Sequence, residues 1–189
     1  MLHWLEKRAA LTPQRTAIIG KEGRLSFAEL RNRSRRLARK LSSLGIHKGD
    51  TVAILCGNGM HVPELVHAIH YLGAVLVPLN TRLTARELLF QIEDCGCKQL
   101  IFDEAQGERA AELKSQMPGL NIAAASGLTA LRESEAVLQT EIDMDAVNTI
   151  MYTSGTTGAP KGVMLTYGNH WASAIGSVLN LGLNERDVW

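Results

Sequence analysis

A chain of 189 residues suits one domain or a part of a larger one, and 46% hydrophobic residues supply a buried core, which excludes a disordered tail. Twenty Lys and Arg against nineteen Asp and Glu leave a formal charge of +1, so no general preference for nucleic acid or membranes shows. The balance is uneven along the chain: residues 1–50 hold twelve basic and four acidic side chains, and the remainder eight and fifteen.

The opening stretch, Met1 to Arg8, carries charges where a secretory signal needs an apolar run, so export is not expected. Ser26-Phe-Ala-Glu29 is a capping box that opens a helix. Its apolar positions Leu30, Leu37, Leu41 and Leu44 keep roughly helical spacing, and Gly45 terminates it. Arg31, Arg33, Arg35, Arg36 and Arg39 mostly fall off that stripe and make a solvated face. Residues 51–56 form a buried strand, Gly57-Asn-Gly59 a turn, and a helix runs from about Pro63 to Leu72. Residues 74–78 are the next strand. The apolar stretch 62–79 is broken by Pro63, Glu64, His67 and His70 and does not span a membrane.

Thr84-Ala-Arg-Glu87 is a second capping box, its helix ending near Cys95 with Gly96 beyond. The cysteines, Cys56, Cys95 and Cys97, are odd in number and lack a disulfide spacing, which points to the cytoplasm; Cys95-Gly-Cys97 has no second ligand pair to hold a metal. A strand at 99–102, a helix at about 104–116 and a strand at 120–123 continue the alternation. Such alternation implies an α/β fold, a mostly parallel sheet with helices on both faces. Residues 126–146 have little pattern and are read as a variable connection, and residues 147–152 as another strand. Residues 184–189 resemble a strand interrupted as it begins, so a truncated chain is expected.

Tyr152-Thr-Ser-Gly-Thr-Thr-Gly-Ala-Pro-Lys-Gly-Val163 carries the strongest chemical signal. It follows a strand, and a helical pattern starts near Asn169, so residues 153–162 are expected to be a loop between strand and helix. Gly155 and Gly158 allow a tight turn that aims successive N–H groups at an anion. Thr153, Ser154, Thr156 and Thr157 add hydroxyls, Lys161 adds a mobile positive charge, and Pro160 stiffens the exit. The pattern is not the Walker P-loop: Pro160 and Gly162 flank Lys161 where that motif needs Gly and Ser or Thr. A flexible linker of the same composition would not place Lys and Pro between a buried strand and a helix.

This loop resembles the phosphate loop of the adenylate-forming superfamily, which includes acyl-CoA synthetases, peptide-synthetase adenylation domains and luciferases. Leu25-Ser-Phe-Ala-Glu-Leu30, Gly49-Asp-Thr-Val-Ala53 and Gly73-Ala-Val-Leu-Val-Pro-Leu-Asn80 are similar to its early helix start and first two sheet strands. The resemblance implies an AMP-forming acid–thiol ligase using ATP, Mg²⁺ and coenzyme A. It implies that Thr153, Ser154, Gly155, Thr156, Thr157, Gly158 and Lys161 hold the β- and γ-phosphates, with Lys161 catalytic and Thr153 also on the metal. Residues 1–189 would then be the first part of a large N-terminal AMP-binding domain. The adenine-binding segment, metal-binding glutamate, ribose-binding aspartate and the lysine of a small C-terminal domain would lie further on, so these residues alone should be inactive. Residues 165–182, 79–84 and 4–13 are most similar to the menaquinone-pathway branch, whose acid is an aromatic keto acid with two carboxylates. There, Tyr167 to His170 would approach the acyl pocket, while Trp171, Ile175 and Leu179 pack a helix. No nucleic-acid partner or membrane span is implied, and a homo-oligomer is compatible with the sequence.

Other acyl-CoA synthetases, for fatty or aromatic acids, share the loop and remain alternatives. Gly57-Asn-Gly59-Met-His-Val62 sits where a dinucleotide fingerprint would, but Val62 replaces the third glycine and the second strand ends in Asn80 rather than an acid. A hydride-transferring oxidoreductase is thus a remote reading, as is a non-catalytic interaction module using the arginine helix. His61, His67 and His70 could be imagined as metal ligands; without a carboxylate or cysteine in the same segment, packed histidines are the expectation.

Overall fold

The structure, a computed structural model, describes residues 1–154, 159–184 and 187. Helix α1 (Trp4–Leu11) is capped by His3, whose Nδ1 accepts from the Leu5 N–H at 3.3 Å. Strands β1 (Thr16–Gly20) and β2 (Gly23–Ser26) pair antiparallel, with Gly23 at φ +130° closing the turn. This hairpin feeds the capping box of α2 (Phe27–Ser43): the Ser26 hydroxyl accepts from Glu29 N–H, and Glu29 Oε2 accepts from Ser26 N–H at 2.8 Å. Gly45, at φ +84°, ends the helix as its position suggests.

The chain then alternates through β3 (Thr51–Leu55), α3 (His61–Tyr71), β4 (Val75–Pro78), α4 (Ala85–Asp94) and β5 (Gln99–Phe102). A short 3₁₀ turn leads into α5 (Gly107–Gln116) and β6 (Asn121–Ala124). Then come β7 (Val147–Thr153), β8 (Lys161–Thr166) and α6 (Tyr167–Leu181). The main sheet runs β6-β5-β3-β4-β7-β8; every neighbouring pair is parallel except β7 and β8.

Successive residues of a strand face opposite sides, and in β3 this divides the side chains between two cores. Val52 and Ile54 join Leu30, Leu41, Leu65 and Ile69 in a core with α1, α2 and α3, while Ala53 and Leu55 join Leu88, Ile92 and Leu113 in a core with α4 and α5. Both faces are thus covered, as an apolar parallel sheet requires. Along α2, Ser34 and Ala38 are the residues fully buried between Leu30 and Leu41, and Leu37 and Leu44 pack partly against the same core. The arginine face is solvated and ion-paired: Arg33 with Glu64 at 3.3 Å, Arg35 with Glu6 at 3.4 Å and Arg36 with Glu133 at 3.1 Å.

Residues 126–146 are more ordered than their composition suggests. After a 3₁₀ segment with Leu128 buried, the strap is tied down by backbone bonds: Ser134 N–H to Arg39 O, Gln139 N–H to Tyr71 O and Ile142 N–H to Met1 O. These long-range partners satisfy backbone groups that local pattern leaves unassigned.

The exit of the Gly-rich segment differs from expectation. Lys161 and Gly162 begin a strand, so residues 154–160 join two antiparallel strands, and α6 starts two residues before Asn169. The cause is local: Val163-Met-Leu-Thr166 suits a ladder, and Thr166 caps α6, accepting from Asn169 N–H while Asn169 Oδ1 accepts from Thr166 N–H at 2.9 Å. Helix α6 leaves Trp171, Ile175 and Leu179 exposed, Leu179 by 80%, rather than packed as expected. The expected final strand falls mostly outside the described residues.

Candidate phosphate site

The carboxyl end of β7 is held by its neighbours. Tyr152 donates its hydroxyl to Asp94 Oδ2 at 2.7 Å, with the Gln91 carbonyl at 3.0 Å, clasping the strand to α4. Partial burial and the Asp94 carboxylate both push the Tyr152 hydroxyl up, which keeps it a neutral donor. Gly162 stands directly across the ladder from Tyr152. A Cβ there would come within 3.1 Å of Ile150 Cγ2 and of the Tyr152 ring, so this glycine makes room for the aromatic.

One residue further, Thr153 and Lys161 are cross-strand partners. Residues directly opposite in an antiparallel pair share a face, with Cβ atoms about 4.5–5.5 Å apart. The ladder therefore sets the Thr153 hydroxyl beside the root of the Lys161 side chain. Both residues are exposed, and no side-chain partner for either occurs among the described residues. Ser154 follows, also exposed. Thr153 and Ser154 line an open cleft of about 520 Å³ with Pro78 at the end of β4, Asn80 and Leu83 beyond it, Glu87 and Gln91 of α4, and Pro160. This is the size range of small-ligand clefts, at the carboxyl ends of parallel strands where α/β sheets bind ligands. Glu87 is taken up by its own helix start: the Thr84 hydroxyl holds its carboxylate below the usual range.

Of the residues expected from sequence, Thr153, Ser154 and Lys161 are thus brought together, while Gly155, Thr156, Thr157 and Gly158 lie outside the described residues. A clustered positive charge with adjacent hydroxyls is chemically suited to polyphosphate. A hard divalent cation accepts hydroxyl oxygen, so Thr153 fits the magnesium role by donor type. The Tyr152–Asp94 clasp and the reason for Gly162 were not found in the sequence; both need the register of β7 against β8 and the packing of α4.

The other candidates resolve differently. Tyr167 turns into the core, edge-on to Trp4 at 5.4 Å and to His70 at 5.7 Å. His3, His67 and His70 cluster there, with His3 stacked on Tyr71 at 4.4 Å. Burial lowers their pKa values to about 4, 4 and 3, so they pack as neutral rings. The Cys97 thiol is buried against the carbonyls of Thr51 and Gln99.

Residues 5–189 match the family of AMP-binding enzymes. The 2-succinylbenzoate–CoA ligase of Geobacillus sp. strain WCH70 is 46% identical over 99% of this chain, which spans 37% of that relative's length. An o-succinylbenzoate CoA synthetase from Bacillus subtilis, solved in complex with the acyl-adenylate intermediate, superposes with a TM-score of 0.92. It is 41% identical, over 99% of this chain and 48% of that one. The same Bacillus subtilis enzyme in complex with ATP and magnesium ion gives a TM-score of 0.91 at 40% identity, over 99% of this chain and 49% of that one.

Proposed function

The chain belongs to the family of AMP-binding enzymes, and from that membership we propose that it supplies the ATP phosphate loop of an o-succinylbenzoate–CoA ligase of menaquinone biosynthesis. In the first half-reaction the acid's carboxylate attacks the α-phosphate of ATP, giving an acyl-adenylate and pyrophosphate. In the second, the thiol of coenzyme A attacks the acyl carbon and AMP leaves. The observation that carries this reading is the Lys161 ammonium, unpartnered among the described residues, facing Thr153 across the ladder beside a cleft at the carboxyl ends of β4 and β7. The choice of acid is supported by relatives at 41–46% identity over nearly the whole chain.

Pyrophosphate is the leaving group of the first step, so donors on the β- and γ-phosphates are worth most where charge shifts onto them. Lys161 contributes a charge-assisted contact; Thr153, Ser154, Thr156 and Thr157 contribute hydroxyls; Gly155 and Gly158 let backbone N–H groups converge. Magnesium, when bound, neutralises phosphate oxygens, and Thr153 offers it a neutral oxygen. Residues 1–189 are on this reading the first part of a larger AMP-binding domain, whose remainder covers the exposed apolar residues of α6 and β8. Among the described residues no helix is long and apolar enough to cross a membrane. Three free cysteines and the use of ATP and coenzyme A fit a cytoplasmic enzyme.

The test is Lys161→Ala in the whole enzyme. A charge-assisted contact is worth about 1.5–3 kcal/mol, so kcat/KM for ATP should fall roughly ten- to hundredfold in acid-dependent pyrophosphate exchange. An unchanged exchange rate would place Lys161 outside the phosphate site.

A further inference from the structure

The strand order puts a topological switch point between β3 and β5. After β3 the chain crosses to β4 on one side, and after β5 to β6 on the other. At such a point the two loops diverge and leave a crevice outside the carboxyl ends of the strands, where open α/β sheets bind ligands. At about 4.8 Å per strand, this crevice lies roughly 10 Å from the phosphate cleft between β4 and β7.

Three residues from separate segments meet in it. Cys56 directly follows β3, Asp103 directly follows β5, and His61 opens α3. One ligand atom of each lies within 4.8 Å of the other two. Asp103 Oδ2 accepts from the Gly57 N–H at 2.6 Å, which fixes the carboxylate against the loop. Its Oδ1 and the His61 Nε2 are both buried without a hydrogen-bond partner among the described residues. The Cys56 thiol makes a long contact, 3.9 Å, to the Ile101 carbonyl and is also in reach of the Asp103 backbone. The His61 ring folds back over Gly59, where a Cβ would come within 2.7 Å of ring atoms. A buried polar atom without a partner is costly, and two residues of this cluster carry one each.

We propose that Cys56, His61 and Asp103 form a binding site for a borderline divalent cation of the zinc type, distinct from the magnesium of the phosphate cleft. Mixed sulfur, nitrogen and oxygen donors select such an ion, whereas magnesium demands oxygen alone. Ligand bonds of about 2.0–2.3 Å in a tetrahedron hold donors roughly 3.3–3.8 Å apart, so the set closes by about 1 Å of side-chain movement. The sulfur–metal bond forms as the Cys56 thiol proton leaves to solvent, and water fills the fourth position. The ion ties the end of β3 to the end of β5 and satisfies both orphaned atoms at once.

The test uses the whole metal-free enzyme, titrated with Zn²⁺ by calorimetry in excess Mg²⁺, and with Co²⁺ as a spectroscopic probe. One Zn²⁺ per chain is expected, and the Co²⁺ form should show a thiolate charge-transfer band with the intense visible bands of a tetrahedral centre. Cys56→Ser should abolish that band. Cys56→Ser, His61→Gln and Asp103→Asn should each weaken Zn²⁺ binding roughly tenfold or more. Asp103→Asn keeps an acceptor for the Gly57 N–H, and if it fails to fold, Cys56→Ser and the cobalt spectrum decide. Binding well below one ion per chain, or binding unaltered in these variants, overturns the proposal. So does a charge-transfer band that survives Cys56→Ser, which would place the ion at Cys95 or Cys97.

Discussion

At the scale of single residues, the histidine cluster has the clearest measurable consequence. His3, His67 and His70 are held neutral by burial, with pKa values lowered from 6.5 to about 4, 4 and 3. In the unfolded chain the same groups titrate near 6.5. Between about pH 6.5 and 4 the unfolded state therefore binds protons that the native state refuses, and stability falls as pH drops through that window. Each group contributes a slope of at most about 1.36 kcal/mol per pH unit, and above 6.5 the contribution is complete. Glu29 and Glu87, lowered by their bonds to Ser26 and Thr84, act only below about 4.5, so they leave the upper part of the window to the histidines. The urea midpoint should be lower at pH 5 than at pH 7, and His67→Leu should flatten the difference. Equal midpoints at the two pH values would mean that water reaches these rings. At this scale Thr153, Ser154 and Lys161 could be named as candidates from sequence because one contiguous motif carries them. Cys56, His61 and Asp103 were not: they sit in three segments, and only the fold brings them within reach of one another.

At the scale of elements, sequence works where the signal is local. The capping boxes at Ser26 and Thr84 announce themselves by Glu three residues on, and both form. The third, at Thr166, was missed because Asn169 stands where Glu or Gln is sought. The β1–β2 hairpin is short, with mixed burial that gives no alternation to read. Strand β8 was hidden by the motif running into it, whose glycines read as loop as far as Gly162. Two substitutions test these elements. Thr166→Ala removes the acceptor for the Asn169 N–H and should cost about 1 kcal/mol in denaturant unfolding. Gly162→Ala drives a methyl against Ile150 and Tyr152 and should cost about 1–3 kcal/mol. A fully tolerated alanine at 162 would mean that the β7–β8 register places Tyr152 elsewhere.

For the whole molecule, alternation of apolar runs and helical patterns was enough to foresee a mostly parallel sheet covered on both faces, because each half of a β3-like strand must find its own helix layer. The strand order was not foreseeable in the same way, since local patterns do not say on which side of β3 each crossover lands. It matters for the proposed function: it sets the cleft between β4 and β7, where phosphate is proposed to bind, and a second crevice between β3 and β5. The exposed apolar face of α6 and β8 is the other whole-molecule feature, and it is explained if further protein packs there. The loop by itself says nothing about the acid, because every adenylate-forming enzyme needs the same phosphate contacts. The central claim is therefore tested by substrate discrimination in the whole enzyme, with ATP, Mg²⁺ and coenzyme A, comparing kcat/KM for o-succinylbenzoate and for a medium-chain fatty acid. A site that binds the unreactive second carboxylate should reject an acid lacking it by several orders of magnitude, on the order of 10⁴. The account predicts that strong preference for o-succinylbenzoate, with AMP and its CoA thioester formed together; a higher kcat/KM for the fatty acid would contradict it.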